Sequence, residues 1–225
     1  MRYDRVLLFS GGVDSFIAYH FLKKPQTIYF DLKTPYSDKE KQIVKQLIPT
    51  TIIDDSLSLG NRQIGEKAYI PFRNLYLAML AVHYSDTITI VGIKGDDVSD
   101  KNEFIFGEFS TLLTVMEGRP IEVYSPFWEM TKEDIVKIFL RDYGSKEDLL
   151  KTISCYSHNT TDGNYCGKCP SCFRKWVAFR SNGIDIDFYN KKLMGEYYKS
   201  ATQGKYVWER NMAIVKVIEM EMFKE

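Results

Sequence analysis

The chain has 225 residues, and 44% of them are hydrophobic. It is long enough for one large α/β domain, or for one domain with a small appendage. Lysine plus arginine and aspartate plus glutamate each total 30, which excludes a strongly basic protein and indicates against nucleic acid as a partner. Because no apolar run approaches the roughly 20 residues of a membrane span, and because the chain starts with a strand-like segment rather than a signal peptide, we expect a cytoplasmic protein.

Short apolar runs alternate with helical patterns through the first 144 residues. Five runs rich in apolar and β-branched residues predict strands at 5–9, 27–31, 50–53, 87–91 and 121–124. Apolar residues at helical spacing predict helices at 15–22, 38–47, 75–82, 104–116 and from 131 onward. This alternation predicts a doubly wound parallel five-stranded sheet, in which ligands bind beyond the carboxyl ends of the strands, where the strand order reverses.

The segment after the first predicted strand, residues 9–15, reads F-S-G-G-V-D-S. Gly11 and Gly12 have no Cβ, so the backbone is able to turn sharply and approach a ligand. The turn aims backbone N–H groups at an anion from the N-terminus of the next helix. Ser10 and Ser15 add hydroxyl donors. The pattern therefore predicts a cradle for phosphate or pyrophosphate.

Two common phosphate-binding motifs are excluded at this turn. The lysine of a Walker A loop is missing, and so is the G-x-G-x-x-G fingerprint of dinucleotide binding. The pattern S-G-G-x-D-S resembles the pyrophosphate loop of the N-type ATP pyrophosphatases, enzymes that split ATP between the α and β phosphates and adenylate a substrate. The alternative interpretation is an ordinary strand-to-helix turn built of small residues.

The character of the sequence changes after residue 144. Residues 145–183 predict a loop-rich region, and the chain is helical again from about 185, with a possible break at Gly204. We therefore predict an ATP pyrophosphatase α/β domain at 1–144, and a zinc-binding loop region with C-terminal helices packed on it at 145–225. An apolar stripe in the last helix indicates either this packing or a homodimer interface. Its members are Val207, Ile214, Val215, Ile218 and Met222.

All four cysteines of the chain fall in this second region, in the pattern C-x10-C-x2-C-x2-C. Such crowding in a reducing compartment predicts a metal site rather than disulfides. We expect Cys155, Cys166, Cys169 and Cys172 to bind one structural zinc ion, because four thiolates leave no open position for catalysis. An iron–sulfur cluster and four unliganded buried thiols are the alternatives. His158 is expected to face solvent.

Four further stretches resemble one family, the 7-cyano-7-deazaguanine synthases. They are Y-I-P-F-R-N at 69–74, Gly92 with Asp97, S-P-F and T-K at 125–132, and S-C-Y with C-G-K-C-P-S-C-F-R at 154–174. They occur in the family's order and extend, with the glycine turn, from about residue 5 to about 180. The combination is more specific than any one stretch.

The resemblance implies an activity and its cofactors. Enzymes of this family are ATP-dependent carbon–nitrogen ligases that convert 7-carboxy-7-deazaguanine and ammonia to 7-cyano-7-deazaguanine, through adenylated intermediates. The product is a precursor of queuosine. Magnesium accompanies the ATP and zinc is structural, and the fold is of the adenine nucleotide α-hydrolase type.

The resemblance also implies roles for individual residues. The catalytic residues would be Asp14, Arg73 and Lys132. The ATP-binding residues would be Phe9, Ser10, Gly11, Gly12, Val13, Asp14, Ser15, Asn74 and Gly92. The substrate-binding residues would be Asp97 and Arg174.

Some of these roles stay open. Asp14 is expected either to bind magnesium or to cap the following helix, because a carboxylate repels phosphate. Arg73 and Lys132 would neutralise charge on the leaving pyrophosphate, although a surface salt bridge is the other interpretation of Arg73. Asn74 is expected to bind a base edge or to cap a helix, and Asp96 competes with Asp97 for its role.

Two stretches depart from the family pattern, at 32–37 and 100–104. The family commonly has D-Y-G-Q-R-H where this chain has Asp31 followed by L-K-T-P-Y-S, and Y-P-D-C-R where it has D-K-N-E-F. Adenylation is therefore a firmer prediction than the acceptor. The alternatives are an enzyme that adenylates a tRNA or DNA base or a protein, one that stops at the amide, and an inactive nucleotide-binding module. A thiolating enzyme is disfavoured, because the metal occupies all four cysteines.

Overall fold

The computed structural model describes residues 2–64, 69–96, 98–155 and 165–223. Its strands are β1 Val6–Leu8, β2 Gln26–Phe30, β3 Ile52–Asp54, β4 Thr87–Thr89 and β5 Glu122–Tyr124. Its helices are α1 Val13–Phe21, α2 Ser37–Leu47, α3 Arg73–Ala81, α4 Glu103–Glu117, α5 Lys132–Asp142, α6 Lys146–Leu150, α7 Pro170–Ser181, α8 Lys191–Thr202 and α9 Trp208–Met222. A short 3₁₀ helix covers Gly60–Arg62.

The five strands form one sheet in the order β3-β2-β1-β4-β5, and every neighbouring pair is parallel. Leu7 of the central strand pairs with Thr27 on one side and Thr89 on the other. The predicted doubly wound parallel five-stranded sheet is therefore confirmed. Because the chain leaves β1 toward β2 and later returns to β1's other side, the strand order reverses between β1 and β4, where such sheets bind ligands.

The centre of the sheet is covered on both faces. Val6, Leu7, Ile28 and Ile88 are fully buried. This burial explains why their segments are continuously apolar rather than alternating, as is usual for parallel strands with helices on both sides. Strand pairing stops earlier than the apolar runs predict, since β4 ends at Thr89 although the apolar run continues to residue 91.

The chain groups into two compact units, which are Met1–Gly92 with Asp96–Trp128, and Ile93–Gly95 with Glu129–Glu225. The first contains the whole sheet and helices α1–α4. The second contains helices α5–α9. The domain boundary that the sequence indicates, after residue 144, differs from this grouping in the position of α5 and stays a prediction.

The second unit has more helix than its sequence predicts. Residues 145–183 were expected to be loop-rich, yet α6 and α7 both lie there. Proline at the first position of α7 suits a helix start, because its missing N–H would have no intrahelical partner there. The helix then buries Phe173, Trp176 and Val177. The segment was expected to be loop-rich because glycines and polar residues dominate its part before Pro170, so the apolar face that follows was not recognised.

The predicted C-terminal helices are confirmed, with their break at Gly204. This glycine has a φ of 72°, the left-handed region that favours glycine, and it lies between α8 and α9. Ile214 and Ile218 of the apolar stripe are buried in the second unit's own core, whereas Met222 is 66% exposed. Within the described part of the chain, no helix combines the length and apolar character needed to cross a membrane.

Candidate functional site

The glycine turn lies at the carboxyl end of the central strand, immediately before α1. Gly11 has a φ of 72°, which an L side chain adopts only with strain. Gly12 is the N-cap residue in an extended conformation and brings no side chain to cap the helix. The structure thus places the predicted cradle at a helix N-terminus at the switch point, the position where an open α/β sheet binds anions.

The two serines of the turn hydrogen-bond within it. Ser15 Oγ donates to the Gly12 carbonyl at 3.1 Å and lies 3.3 Å from Ser10 Oγ. The Gly12 N–H reaches Ser10 Oγ at 3.4 Å. Ser10 is exposed, whereas Ser15 is buried. The exposed hydroxyl is therefore the one that faces outward, while the buried one holds the turn.

The other residues of the turn divide between core and surface. Phe9 and Val13 are each 1% exposed, so their side chains belong to the core and only their backbone is available to a ligand. Asp14 is half-buried in the first turn of α1, where a carboxylate interacts favourably with the helix dipole.

Gly92 follows β4, so it emerges at the same edge of the sheet as the glycine turn, which follows the parallel neighbour β1. Its N–H donates to Ser125 Oγ at 3.0 Å, and that hydroxyl donates back to the Gly92 carbonyl at 2.6 Å. A Cβ at this position would meet the Trp128 ring at 2.0 Å. Glycine is therefore required here for packing, whatever the residue binds.

Arg73 and Asn74 open α3, directly after Phe72, which has a left-handed φ of 57°. Asn74 is 3% exposed. Its backbone N–H donates to Asp100 Oδ2 and its side-chain amide donates to Asp100 Oδ1, both at 3.0 Å. The carboxylate of Asp100 therefore fixes the start of α3. Sequence reasoning missed this role, because it treated residues 100–104 only as a departure from the family.

A buried carboxyl group, Glu40, feels the charge of Arg73. Burial raises the pKa of Glu40 from its ordinary 4.5 to about 7, although the residue as a whole is only half-buried. A hydrogen bond from the Tyr29 hydroxyl at 2.8 Å and the positive charge of Arg73 both oppose that rise. Sequence reasoning missed this group, because nothing in the pattern of α2 distinguishes Glu40 from the four other charged residues of that helix.

Asp31, which follows β2, is held by two lysines. Its carboxylate is 1% exposed and accepts from Lys33 at 2.9 Å and Lys41 at 2.7 Å. Burial alone would raise the pKa of Asp31, but these hydrogen bonds outweigh burial and hold the pKa below its ordinary range. The one residue that this stretch shares with the family pattern is thus paired with two cations of this chain.

The candidate substrate residue Asp97 lies outside the described residues. Its neighbour Asp96 has a side chain that is 4% exposed and pairs with Lys101 at 2.7 Å. Asp96 thus has a structural partner within the chain, and the sequence motif did not indicate this ion pair.

Lys132 and Arg174 belong to the second unit and line one pocket there. Lys132 is the first residue of α5. Thr131 is the N-cap of this helix and forms a full capping box, in which the Thr131 hydroxyl accepts from the Asp134 N–H and the Asp134 carboxylate accepts from the Thr131 N–H. Arg174 lies in the second turn of α7. The pocket encloses about 350 Å³ including the solvent at its mouth.

The four cysteines converge as predicted. The Sγ atoms of Cys155, Cys166, Cys169 and Cys172 all lie within 4.8 Å of one another, and those of Cys166 and Cys172 are 3.7 Å apart. A tetrahedral ion with Zn–S bonds of about 2.3 Å would separate its sulfurs by about 3.8 Å. The geometry of the thiols is therefore compatible with one zinc ion.

Backbone N–H groups point at two of these sulfurs. The Lys168 N–H donates to Cys166 Sγ and the Cys172 N–H donates to Cys169 Sγ, each at 3.4 Å. Such outer contacts help to orient the sulfurs toward a common point. Gly167, between the ligands, has a φ of 62°, the left-handed conformation that favours glycine in a tight turn. Tyr156 and His158 lie outside the described residues.

The two units define a class of protein: a doubly wound α/β unit with a glycine turn at its switch point, followed by a helical unit that gathers four thiols at one point. A family model described as "Queuosine biosynthesis protein QueC" matches residues 39–183. The chain therefore belongs to the QueC family, as the resemblance of its motifs predicts.

Several curated proteins are similar to the chain, and each is named 7-cyano-7-deazaguanine synthase. The protein of Rickettsia conorii is 26% identical over 225 residues, covering 82% of this chain and 97% of that protein. The protein of Geobacter sp. strain M21 is 24% identical over 86% of this chain and 100% of its own length. That of Methanococcus aeolicus is 29% identical over 53% of this chain and 55% of its own length.

Proposed function

We propose that the chain is an ATP-dependent carbon–nitrogen ligase that converts 7-carboxy-7-deazaguanine and ammonia to 7-cyano-7-deazaguanine in queuosine biosynthesis. The observation that carries the proposal is the S-G-G-V-D-S turn, which lies at the N-terminus of α1 at the switch point of a QueC-family chain. The names of the similar proteins support the product. Crowded thiols that bind a metal would suit a reducing cytoplasm.

The reaction would proceed through two adenylations. The carboxylate oxygen attacks the α phosphorus of ATP, which forms an acyl adenylate and releases pyrophosphate. Ammonia then attacks the acyl carbon, so that the amide forms and AMP leaves with the former carboxylate oxygen. The amide oxygen attacks a second ATP, again with release of pyrophosphate, and loss of AMP and protons gives the nitrile.

The first unit would hold the nucleotide. Ser10, Gly11 and Gly12 would present the hydroxyl and backbone N–H groups that bind its phosphates, because a helix N-terminus favours an anion. Asp14, at the surface of the same turn, would bind the Mg²⁺ that accompanies ATP, since Mg²⁺ prefers carboxylate oxygens. Gly92, at the same edge of the sheet, would let the nucleotide approach the backbone.

Arg73 and Asn74 would act from the start of α3. The guanidinium of Arg73 would neutralise charge that develops on the leaving pyrophosphate. Asn74 has its amide nitrogen bonded to Asp100, so its side-chain carbonyl is the part that would accept from the nucleotide. This arrangement makes Asp100 a positioning residue for both side chains.

The second unit would supply two cations and a structural metal. Lys132 would neutralise pyrophosphate charge, and Arg174 would bind the anionic part of a substrate. The four thiolates would hold one Zn²⁺, because an iron–sulfur cluster divides its thiolates among two or more iron atoms and would spread them beyond the 4.8 Å within which all four sulfurs lie here. With four protein ligands, the zinc would be structural.

The direct experiment is to incubate the purified chain with Mg²⁺-ATP, ammonium and 7-carboxy-7-deazaguanine and to identify the products by mass spectrometry. We expect the nitrile and AMP. AMP without any deazaguanine product would contradict the proposed acceptor, and no AMP with any acceptor would contradict the enzyme. Ser10→Ala, which removes the exposed hydroxyl, should lower AMP formation, whereas Ser171→Ala, in the second unit, should not.

One observation favours a second candidate, an enzyme of the same ATP chemistry that stops at the amide or adenylates another acceptor. Lys33 and Asp100 lie in the two stretches that depart from the family, and each is held by a partner of this chain, Lys33 by Asp31 and Asp100 by Asn74. Amide without nitrile in the same assay, or AMP formed with a tRNA or DNA base or a protein, would establish that candidate.

A further inference from the structure

Four of the ten residues that line the pocket in the second unit are cations. Lys94, Lys132, Arg174 and Arg210 line it, against one carboxylate, that of Glu133. Its walls come from the Ile93–Gly95 segment, the N-terminus of α5, and the facing sides of α7 and α9. Apolar side chains complete the lining, so water does not fully surround the charges.

Arg210 is held in the pocket wall by two contacts. Its Nη1 donates to the Gly95 carbonyl at 3.2 Å, and its guanidinium lies 4.3 Å from the centre of the Tyr206 ring. A guanidinium carries five N–H donors in one plane, so the bond to Gly95 leaves donors for an oxyanion. Burial lowers the pKa of Arg210, and repulsion by Arg174 lowers it further. The two guanidinium groups therefore lie close enough to repel each other.

Several carboxylates near the pocket interact with groups of this chain. Glu209 pairs with Lys94 at 2.8 Å, and Asp134 is bonded to Thr131 in the capping box of α5. Burial raises the pKa of Glu133, while Lys132 and Arg174 act in the opposite direction. An anion with several oxygens would relieve the repulsion between the guanidinium groups and accept from both.

Arg210 belongs to a part of the chain that the family model does not cover. The match ends at residue 183, whereas α9 covers Trp208–Met222. The same pocket thus combines two residues of the matched region, Lys132 and Arg174, with one from the C-terminal helix. A role for α9 in ligand binding is not implied by the family motifs.

We propose that this pocket is a binding site for a phosphate-class anion and that Arg210 of α9 is one of its binding residues. Pyrophosphate has several charged oxygens and is able to accept from two guanidinium groups and a lysine at once. A ligand with a single carboxylate has too few oxygens to do so. The choice of pyrophosphate as the natural ligand rests on the proposed function, which releases it. The preference for such an anion rests on the pocket itself.

The test is calorimetric titration of the full chain with inorganic pyrophosphate at fixed ionic strength. We expect Arg210→Gln to weaken binding about tenfold or more, equivalent to about 1.4 kcal/mol. Arg210→Lys, which keeps the charge but loses the planar donors, should fall between Arg210→Gln and the wild type. Lys216→Gln removes the same charge from an exposed position of α9 and should stay within twofold of the wild type.

A second measurement follows Arg210 itself in the unaltered protein. It is needed because the glycine turn is also proposed to bind pyrophosphate, and calorimetry does not tell the two sites apart. Phenylglyoxal modification followed by peptide mass spectrometry should show that pyrophosphate slows the modification of Arg210 several-fold. Arg141, with a side chain that is 70% exposed on α5, is the internal control and should be modified at an unchanged rate.

Unchanged modification of Arg210, or equal pyrophosphate affinity for Arg210→Gln and Lys216→Gln, would overturn the proposal. Arg210-dependent binding of 7-carboxy-7-deazaguanine, with pyrophosphate binding unaffected, would overturn its assignment to phosphate. Protection of Arg210 by pyrophosphate in a chain that forms no AMP would leave the pocket standing and remove the proposed ligase. If the chain forms the nitrile but pyrophosphate does not protect its Arg210, the ligase proposal is supported and the pocket proposal is wrong.

Discussion

The two units of this chain differ in what stabilises each of them. The first has a five-stranded sheet whose central residues are fully buried between helices. Among its described residues, the second unit contains no strand, and its core is a cluster of aromatic and aliphatic side chains that includes Cys155 and Cys172. A sheet with two covered faces stabilises itself by burial, whereas the second unit's core is built around the proposed metal site. The two units should therefore respond differently to loss of the metal.

Replacing a metal ligand should give the largest effect, and it should be confined to the second unit. We expect Cys172→Ser to lose the bound zinc and to destabilise α7 by at least about 3 kcal/mol, because metal binding contributes directly to folding. Zinc content by mass spectrometry and hydrogen exchange of α7 measure the two consequences. Ser171→Ala, between two ligands, is the control, and equal loss of protection in α1 would contradict the independence of the units.

The hydrogen bonds from Asn74 to Asp100 at the start of α3 allow a polar contact of the first unit to be tested. Asp100→Ala removes the acceptor of two Asn74 donors and leaves them buried without it, so we expect a loss of about 2 kcal/mol. AMP formation should fall with it, because Arg73 and Asn74 lose their fixed position. Urea denaturation measures the stability, with Glu108→Ala at an exposed position of α4 as the control. A variant as stable as that control would show that Asp100 anchors nothing.

The glycine turn should be sensitive to a single methyl group. Gly11→Ala places an L side chain at a φ of 72°, which costs about 1–2 kcal/mol. We expect AMP formation to drop at least tenfold, while zinc content stays unchanged. Gly107→Ala is the matched control, because it lies within α4 with open space around its Cβ position and should be neutral or slightly stabilising. Full activity of Gly11→Ala would contradict the cradle.

The smallest expected effect depends on pH and concerns Glu40. Its pKa of about 7 in the folded chain lies above its ordinary 4.5, so between these values the folded state binds the extra proton. The contribution of Glu40 to the free energy of unfolding is therefore full below pH 4.5 and is lost as the pH rises through 7. Glu40→Gln should be more stable than the wild type at pH 8 by about 1 kcal/mol, after allowing for solvent screening.

Urea titrations at pH 5.5 and pH 8, read by hydrogen exchange in α2, check this prediction. The difference in stability between the Glu40→Gln variant and the wild type should shrink at the lower pH. A difference that is constant with pH would show that the Glu40 carboxyl does not titrate in this window.

The same contrast explains how far the sequence could be read. The sheet was predictable because buried parallel strands require continuous apolar runs, and the turn was predictable because Gly11 and Gly12 stand directly after one of them. The cysteine spacing predicted the convergence of the thiols. Local patterns of this kind depend on neighbours in the chain.

The contacts that sequence reasoning missed join residues far apart in the chain. Asp100 accepts from Asn74, and Arg210 donates to the Gly95 carbonyl. Tyr29 of β2 donates to Glu40 of α2. No local periodicity marks such pairs, because each partner alone is an ordinary polar residue. The start of α7 was missed for a different reason, since its apolar face begins inside the cysteine segment. The roles proposed for Lys132, Arg174 and Asp97 stay predictions.

The most direct test of the central claim, that the chain activates a carboxylate by adenylation, follows oxygen atoms. The substrate is 7-carboxy-7-deazaguanine with ¹⁸O in both carboxyl positions, incubated with Mg²⁺-ATP and ammonium. Our account predicts that each AMP carries one ¹⁸O atom and that the released pyrophosphate carries none. Unlabelled AMP, or ADP together with labelled inorganic phosphate, would contradict it.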